Sequence, residues 1–232
     1  MQTFADKILA FNAHLDFTPY LPLPKDVGIM NPFRENDTAT PASTLFYKKY
    51  YDDHNLRHCI LGINPGRFGA GLTGIPFTDP KRLKEKCHLP YEGPDAHEPS
   101  SVFIYEMIEA CGGAEKFYAS FYINSVCPLG FTTVSASGKS VNYNYYDKMA
   151  LQKCARPFII QSIREQLAIC LKTDVCFCLG TGKNMEFLKK LNDEEHFFGK
   201  IVALEHPRYI MQYRSKTRSD YIGKYRKAFA QG

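Results

Sequence analysis

The chain has 232 residues, a formal net charge of +5, 44% hydrophobic residues and no tryptophan. That length and apolar content exclude wholesale disorder and suit one compact domain over residues 1–232. The mild positive charge admits a polyanionic partner without requiring one, and no apolar run approaches the ~20 residues that would cross a bilayer. In chain order, Phe4, Ile8, Phe11 and Leu15 recur at helical spacing and predict a helix over 4–15. Asp6 and Lys7 inside it argue against a signal peptide. Residues 17–33, with Pro19, Pro22, Pro24 and Pro32, read as a connector. Short apolar runs at 57–63, 118–126, 174–179 and 200–205 read as buried strands. Helical patterns at 100–110, 145–171, 183–191 and 219–230 fall between and after them.

Strands alternating with helices predict an α/β protein: a three-layer α/β/α sandwich with a central four-stranded parallel sheet. Ligands of such sheets bind beyond the carboxyl ends of the strands. Asn64 follows the first predicted strand, Asn124 lies in the second and His206 follows the fourth. The third ends in Gly180-Thr181-Gly182-Lys183, which is not a Walker A loop. That loop needs Gly at 177 and Ser or Thr at 184, where this chain has Phe177 and Asn184.

The eight cysteines are Cys59, Cys87, Cys111, Cys127, Cys154, Cys170, Cys176 and Cys178. None pairs at C-x-x-C spacing, so no zinc or iron–sulfur site is expected, and neither is any other metal or cofactor. They read as buried free thiols of a reducing, cytoplasmic setting, near the nucleoid if the source is bacterial.

The segment Gly62-Ile63-Asn64-Pro65-Gly66-Arg67-Phe68-Gly69, continuing to Thr73-Gly74-Ile75-Pro76-Phe77, resembles the first active-site motif of the uracil-DNA glycosylase superfamily, in its single-strand-selective monofunctional form. Asn124-Ser125-Val126-Cys127-Pro128-Leu129 is similar to the family's base-recognition segment, Ser137-Gly138-Lys139 to the loop after it, and Glu205-His206-Pro207 to its second motif. Residues 27–32 resemble the family's approach to the site. Two departures suggest a divergent second subfamily. Arg67 stands where the family commonly has Pro, and Arg208-Tyr209-Ile210-Met211-Gln212 replaces the usual Ser, Pro, Arg and Asn of the duplex wedge.

The resemblance implies a partner, uracil-containing DNA in single or double strands, and a set of roles. A base must leave the stack to be cut. Phe77 would stack on it, Gly66 and Gly69 would let backbone approach it, and Asn124 would accept from N3–H and donate to O4. His206 would donate to O2 as that oxygen becomes anionic, and Asn64 would orient the attacking water. Neither motif carries a lysine nucleophile, so a lyase step is not expected; Lys139 is the one candidate to watch. Arg67, Ser137, Gly138, Lys139, Arg208, Tyr209, Ile210, Met211, Gln212 and Arg214 are the expected DNA contacts, with 209–212 supplying the wedge. A monomer with no membrane association is expected. Three other readings stay open on sequence: a same-fold glycosylase acting on another damaged base such as a deaminated purine, a non-catalytic nucleic-acid-binding module, and a small-molecule enzyme on a doubly wound sheet.

Overall fold

A computed structural model of the chain describes residues 1–169 and 171–231, so Cys170 lies outside the described residues. The elements are, in order, α1 (Phe4–His14), β1 (Val27–Met30), α2 (Pro32–Glu35), α3 (Ala39–Tyr51), β2 (Arg57–Gly62), α4 (Ala70–Thr73), α5 (Pro80–Glu85), α6 (Pro99–Ala110) and α7 (Ala114–Ser120). There follow β3 (Phe121–Ser125), β4 (Gly130–Val134), β5 (Ser140–Tyr143), α8 (Met149–Leu167), β6 (Leu171–Leu179), α9 (Lys183–Glu195), β7 (Lys200–Leu204), α10 (Pro207–Tyr213) and α11 (Arg218–Phe229).

The four expected strands form one parallel sheet in the order β3-β2-β6-β7. β2 lies inside it and is buried at all six positions; its apolar stretch Cys59-Ile60-Leu61 follows two buried polar residues, Arg57 and His58. Successive side chains of β6 reach opposite layers. Phe177 meets Phe229 of α11 at 4.9 Å between ring centroids, while Cys178 on the other face lies 3.4 Å from Asn184 of α9. Helices therefore cover both faces, as the α/β/α reading requires. The register pairs Gly62 with Ser125, Leu61 with Cys178 and Leu179 with Leu204, so all four carboxyl ends meet along one edge.

Several boundaries differ from the sequence reading. The run at 118–126 is the end of α7 followed by β3, because Phe117 and Tyr118 face the core as a helical pair first. The helix expected over 145–171 is shorter, and β6 already begins at Leu171. The connector at 17–33 conceals β1, which joins β4 and β5 in a second, antiparallel sheet of order β1-β4-β5. Helix α3 was hidden by its aromatics, yet Ala39, Ala42, Phe46, Tyr47 and Tyr50 are all buried along one helical stripe. Of the seven described cysteines, all free, Cys111 and Cys154 are only partly buried. Burial pushes the thiols of Cys127 and Cys178 up to about 12, so neither is a nucleophile at neutral pH.

The sheet is anchored at the start of β2 by Arg57, whose side chain is completely buried. Its guanidinium lies between the rings of Phe4 and Tyr51, at 4.6 and 4.7 Å from their centroids. Nη1 and Nη2 each donate to Asp53 at 2.7 Å, Nε donates to the Tyr118 carbonyl at 2.6 Å, and the Asn55 and Tyr50 carbonyls accept further bonds. A buried charge is tolerated only when its donors are satisfied in this way. Asp53→Ala should lower stability in urea by about 2 kcal/mol, below the ~3–5 kcal/mol of fully buried pairs because Asp53 keeps 36% exposure. Adding Arg57→Met should recover part of that loss.

Candidate active site

A cleft of about 280 Å³ opens at the carboxyl edge of the sheet. It is at the low end of small-molecule sites and suits a single base better than a dinucleotide. Of the residues singled out in the sequence, Asn64, Gly66, Phe77, His206, Arg208, Tyr209 and Gln212 line it. Among the described residues, no three His, Cys, Asp or Glu side chains are placed to hold a metal ion.

Phe77 has φ +55°, a conformation few side chains adopt outside functional or strained positions. Its ring faces His206 at 5.7 Å and occupies the space beside Gly62, where a Cβ would lie 2.8 Å from it. Gly62 is thus required by the ring that walls the cleft. Asn64 is held through both ends of its amide: Nδ2 donates to the Tyr143 carbonyl at 3.2 Å, and Oδ1 accepts from the Tyr145 N–H at 3.2 Å. An amide oxygen has two lone pairs, so one remains for a water.

His206 caps α10, with Pro207 at the first helical position where its missing N–H costs nothing. Its Nδ1 accepts from the Arg208 N–H at 3.1 Å. A ring nitrogen that accepts carries no proton, so the neutral imidazole holds its hydrogen on Nε2, which has no hydrogen-bond partner among the described residues. Desolvation, helped by the nearby Arg208 charge, lowers the pKa to about 4, so the ring is neutral at physiological pH. The cleft therefore presents a fixed neutral N–H donor.

Other expected residues are placed differently. Asn124 is buried and does not line the cleft; it borders a cavity of about 10 Å³ that shares Pro65, Ala70 and Pro76 with it. Its Nδ2 donates to the Tyr122 hydroxyl at 2.6 Å and its Oδ1 accepts from the Ser125 N–H at 2.8 Å, leaving one hydrogen and one lone pair. Arg67 is not free to reach outward: its guanidinium donates to the Ser140 carbonyl of β5, and its backbone N–H to Asn142 Oδ1 at 3.0 Å. It ties the first motif to the β4–β5 hairpin. Ser137, Gly138 and Lys139 form the exposed turn of that hairpin, with Gly138 at φ +76°.

A profile of the uracil DNA glycosylase superfamily matches residues 48–230. The chain belongs to that superfamily. It is 24% identical over 155 residues to the single-strand selective monofunctional uracil DNA glycosylase of Mus musculus, covering 60% of this chain and 53% of that one. It is 26% identical over 99 residues to the Bos taurus counterpart, covering 35% and 36%. The chain thus spans about half the length, or less, of these mammalian relatives. The crystal structure of wild-type Pedobacter heparinus SMUG2 superposes with a TM-score of 0.97 at 58% identity, covering 100% of this chain and 98% of that one.

The segment where this superfamily member departs from the expected wedge is a helix, α10, and not a loop. Ile210 was expected to contact DNA; it is fully buried at 0% exposure within the core and cannot do so, because the helix turns it inward. Met211 packs partly against the same core, and Tyr209, Gln212 and Tyr213 face outward. Sequence reasoning missed Phe68, 53% exposed beside the cleft, and Glu98, Asn142 and Tyr146 in its wall. The signal for Asn142 was readable: 130–134 and 140–143 are short segments around a Gly-containing turn, which reads as a hairpin. Glu98 had no such signal. Gly62→Ala should cost about 1–3 kcal/mol in urea unfolding because Phe77 must move. Gly223→Ala in α11, where a Cβ meets nothing within 4 Å, should instead gain about 0.5–1 kcal/mol.

Proposed function

We propose that the protein is a monofunctional DNA glycosylase that flips uracil out of DNA and hydrolyses its N-glycosidic bond, leaving an abasic site. The observation that carries this reading is the neutral, backbone-oriented His206 in the wall of the same cleft that Asn64 lines. As the C1′–N1 bond breaks, its electron pair moves onto the base and O2 becomes anionic. A neutral N–H donor stabilises that charge without having to give up a proton. Water on the Asn64 oxygen attacks C1′ as positive charge builds on the sugar. Among the described residues no lysine lines the cleft, which supports hydrolysis over a Schiff-base route.

Phe77 supplies the stacking wall. We assign base reading to Asn124, reached when the base penetrates past Pro65 and Pro76 toward the smaller cavity. Its unused lone pair and hydrogen match N3–H and O4 of uracil; cytosine would leave both unpaired, at about 1–3 kcal/mol each. Tyr209, Met211, Gln212 and Phe68 form the rim that fills the gap in a duplex, and Arg208, Arg214 and the 137–139 turn contact phosphates. One domain acting as a monomer suffices for this chemistry.

The reading is tested by incubating the protein with uracil-containing single- and double-stranded oligonucleotides, then cleaving abasic sites with alkali. His206→Ala should bind DNA normally and lose about 10²-fold or more in single-turnover excision. Asn124→Ala should slow uracil release markedly; excision at the wild-type rate would remove Asn124 from base reading. Replacing Tyr209, Met211 and Gln212 together with alanine should slow excision from duplexes far more than from single strands, since only a duplex has a gap to fill.

A further inference from the structure

Among the described residues, Glu98 is the one acidic side chain lining the cleft. It precedes α6 at the N-cap position, yet its carboxylate does not cap the helix and, among the described residues, has no hydrogen-bond or ion-pair partner. Its backbone N–H is taken by Asp79 Oδ2 at 2.7 Å, which fixes where the side chain starts. From there the carboxylate reaches over the first motif. A Cβ on Gly69 would lie 1.9 Å from Oε2, and one on Gly66 would lie 3.3 Å from Oε1. These glycines, which the sequence suggested make room for the base, make room for this carboxylate.

An unpaired carboxylate in a cleft wall costs stability, and residues kept at such a cost concentrate where chemistry needs them. The proposed hydrolysis has an unmet requirement of that kind. Water adding to C1′ must lose a proton; Asn64 is an amide and too weak a base, and His206 donates toward the leaving group. We propose that Glu98 is a catalytic residue that accepts the proton of the attacking water. The water oxygen bonds to C1′, the C1′–N1 pair departs with uracil, and the released proton ends on the Glu98 carboxylate. This rests on the glycosylase reading above.

Desolvation, with the negative charge of buried Asp79, raises the Glu98 carboxyl to about 7, while Arg208 opposes the rise. Asp79 is itself engaged by Arg82 and faces His97; besides Arg208, the ionisable side chains lining the cleft with Glu98 are Tyr146, His206, Tyr209 and Tyr213, among the described residues. A base with that affinity for protons gains activity as pH rises: from pH 5.5 to 8.5 its ionised fraction, and with it the single-turnover rate, should rise about 30-fold.

The test is single-turnover excision from a single-stranded uracil oligonucleotide at saturating protein, from pH 5.5 to 8.5. Glu98→Gln should be about 10²-fold slower at pH 8 and lose the rising limb, while binding the oligonucleotide at least as tightly. Since the wild-type carboxyl has a raised pKa, its ionisation costs stability as pH rises through about 7, so E98Q should melt no lower than wild type at pH 8. Formate should accelerate Glu98→Ala in a saturable manner. His97→Gln, measured in parallel, should keep the limb. Wild-type rates and pH dependence in E98Q, or a uniform loss with the limb intact and no formate rescue, would overturn the proton-acceptor role. Absence of excision by the wild-type protein would instead reject the glycosylase reading itself.

Discussion

The bonds around the Arg57 guanidinium hold the sheet in place, and the site depends on the sheet. Arg57 begins the inner strand β2, and the same strand ends at Gly62, two residues before Asn64. The guanidinium gathers carbonyls from the ends of α3 and α7 and the rings of α1 and α3 around one charge. Because every donor has a partner, the arrangement has one geometry in place of many. That geometry sets the height at which β2 emerges on the opposite edge, and so where Asn64 stands relative to His206 beyond β7.

The second sheet completes what the first begins. Strand β5 supplies the Tyr143 carbonyl to Asn64, Asn142 to the backbone of Arg67 and the Ser140 carbonyl to its guanidinium. Arg67 therefore belongs to the packing between motif and hairpin. Asn184, at the position where a phosphate-binding loop would carry Ser or Thr, plays a similar internal part. It donates to the carbonyls of Gly62 and Leu179 and accepts from the Tyr145 hydroxyl, linking β2, β6 and the segment that grips Asn64.

The parallel sheet was legible because buried parallel strands carry short apolar runs, as at Cys59-Ile60-Leu61 and Val175-Cys176-Phe177-Cys178-Leu179. In the antiparallel sheet only the β4–β5 hairpin carried a signal, its Gly-containing turn; β1 is short, partly exposed and set among prolines, so its pairing with β4 did not show. Asn64, Phe77 and His206 could be found from the chain alone, since each sits at a strand end or within a dense local motif. Glu98 could not: only folding brings the N-cap of α6 over the Gly66–Gly69 turn. Ile210 fails for a related reason. Tyr209 and Gln212 near it face outward, but a helix presents successive residues about a hundred degrees apart, so part of a contiguous run must turn inward.

The main chain fixes the reactive groups of the cleft. Asn64 is gripped by the backbone of 143 and 145, His206 by the N–H of Arg208, and Phe77 by its own strained dihedral and the bare flank of Gly62. The entropy of orienting them is thus lost when the chain folds, before any ligand arrives. A ligand meeting these groups orders little beyond itself, so preorganisation, more than adaptation, governs its reception. Discrimination then falls on the shape and hydrogen-bonding edges of the incoming ligand.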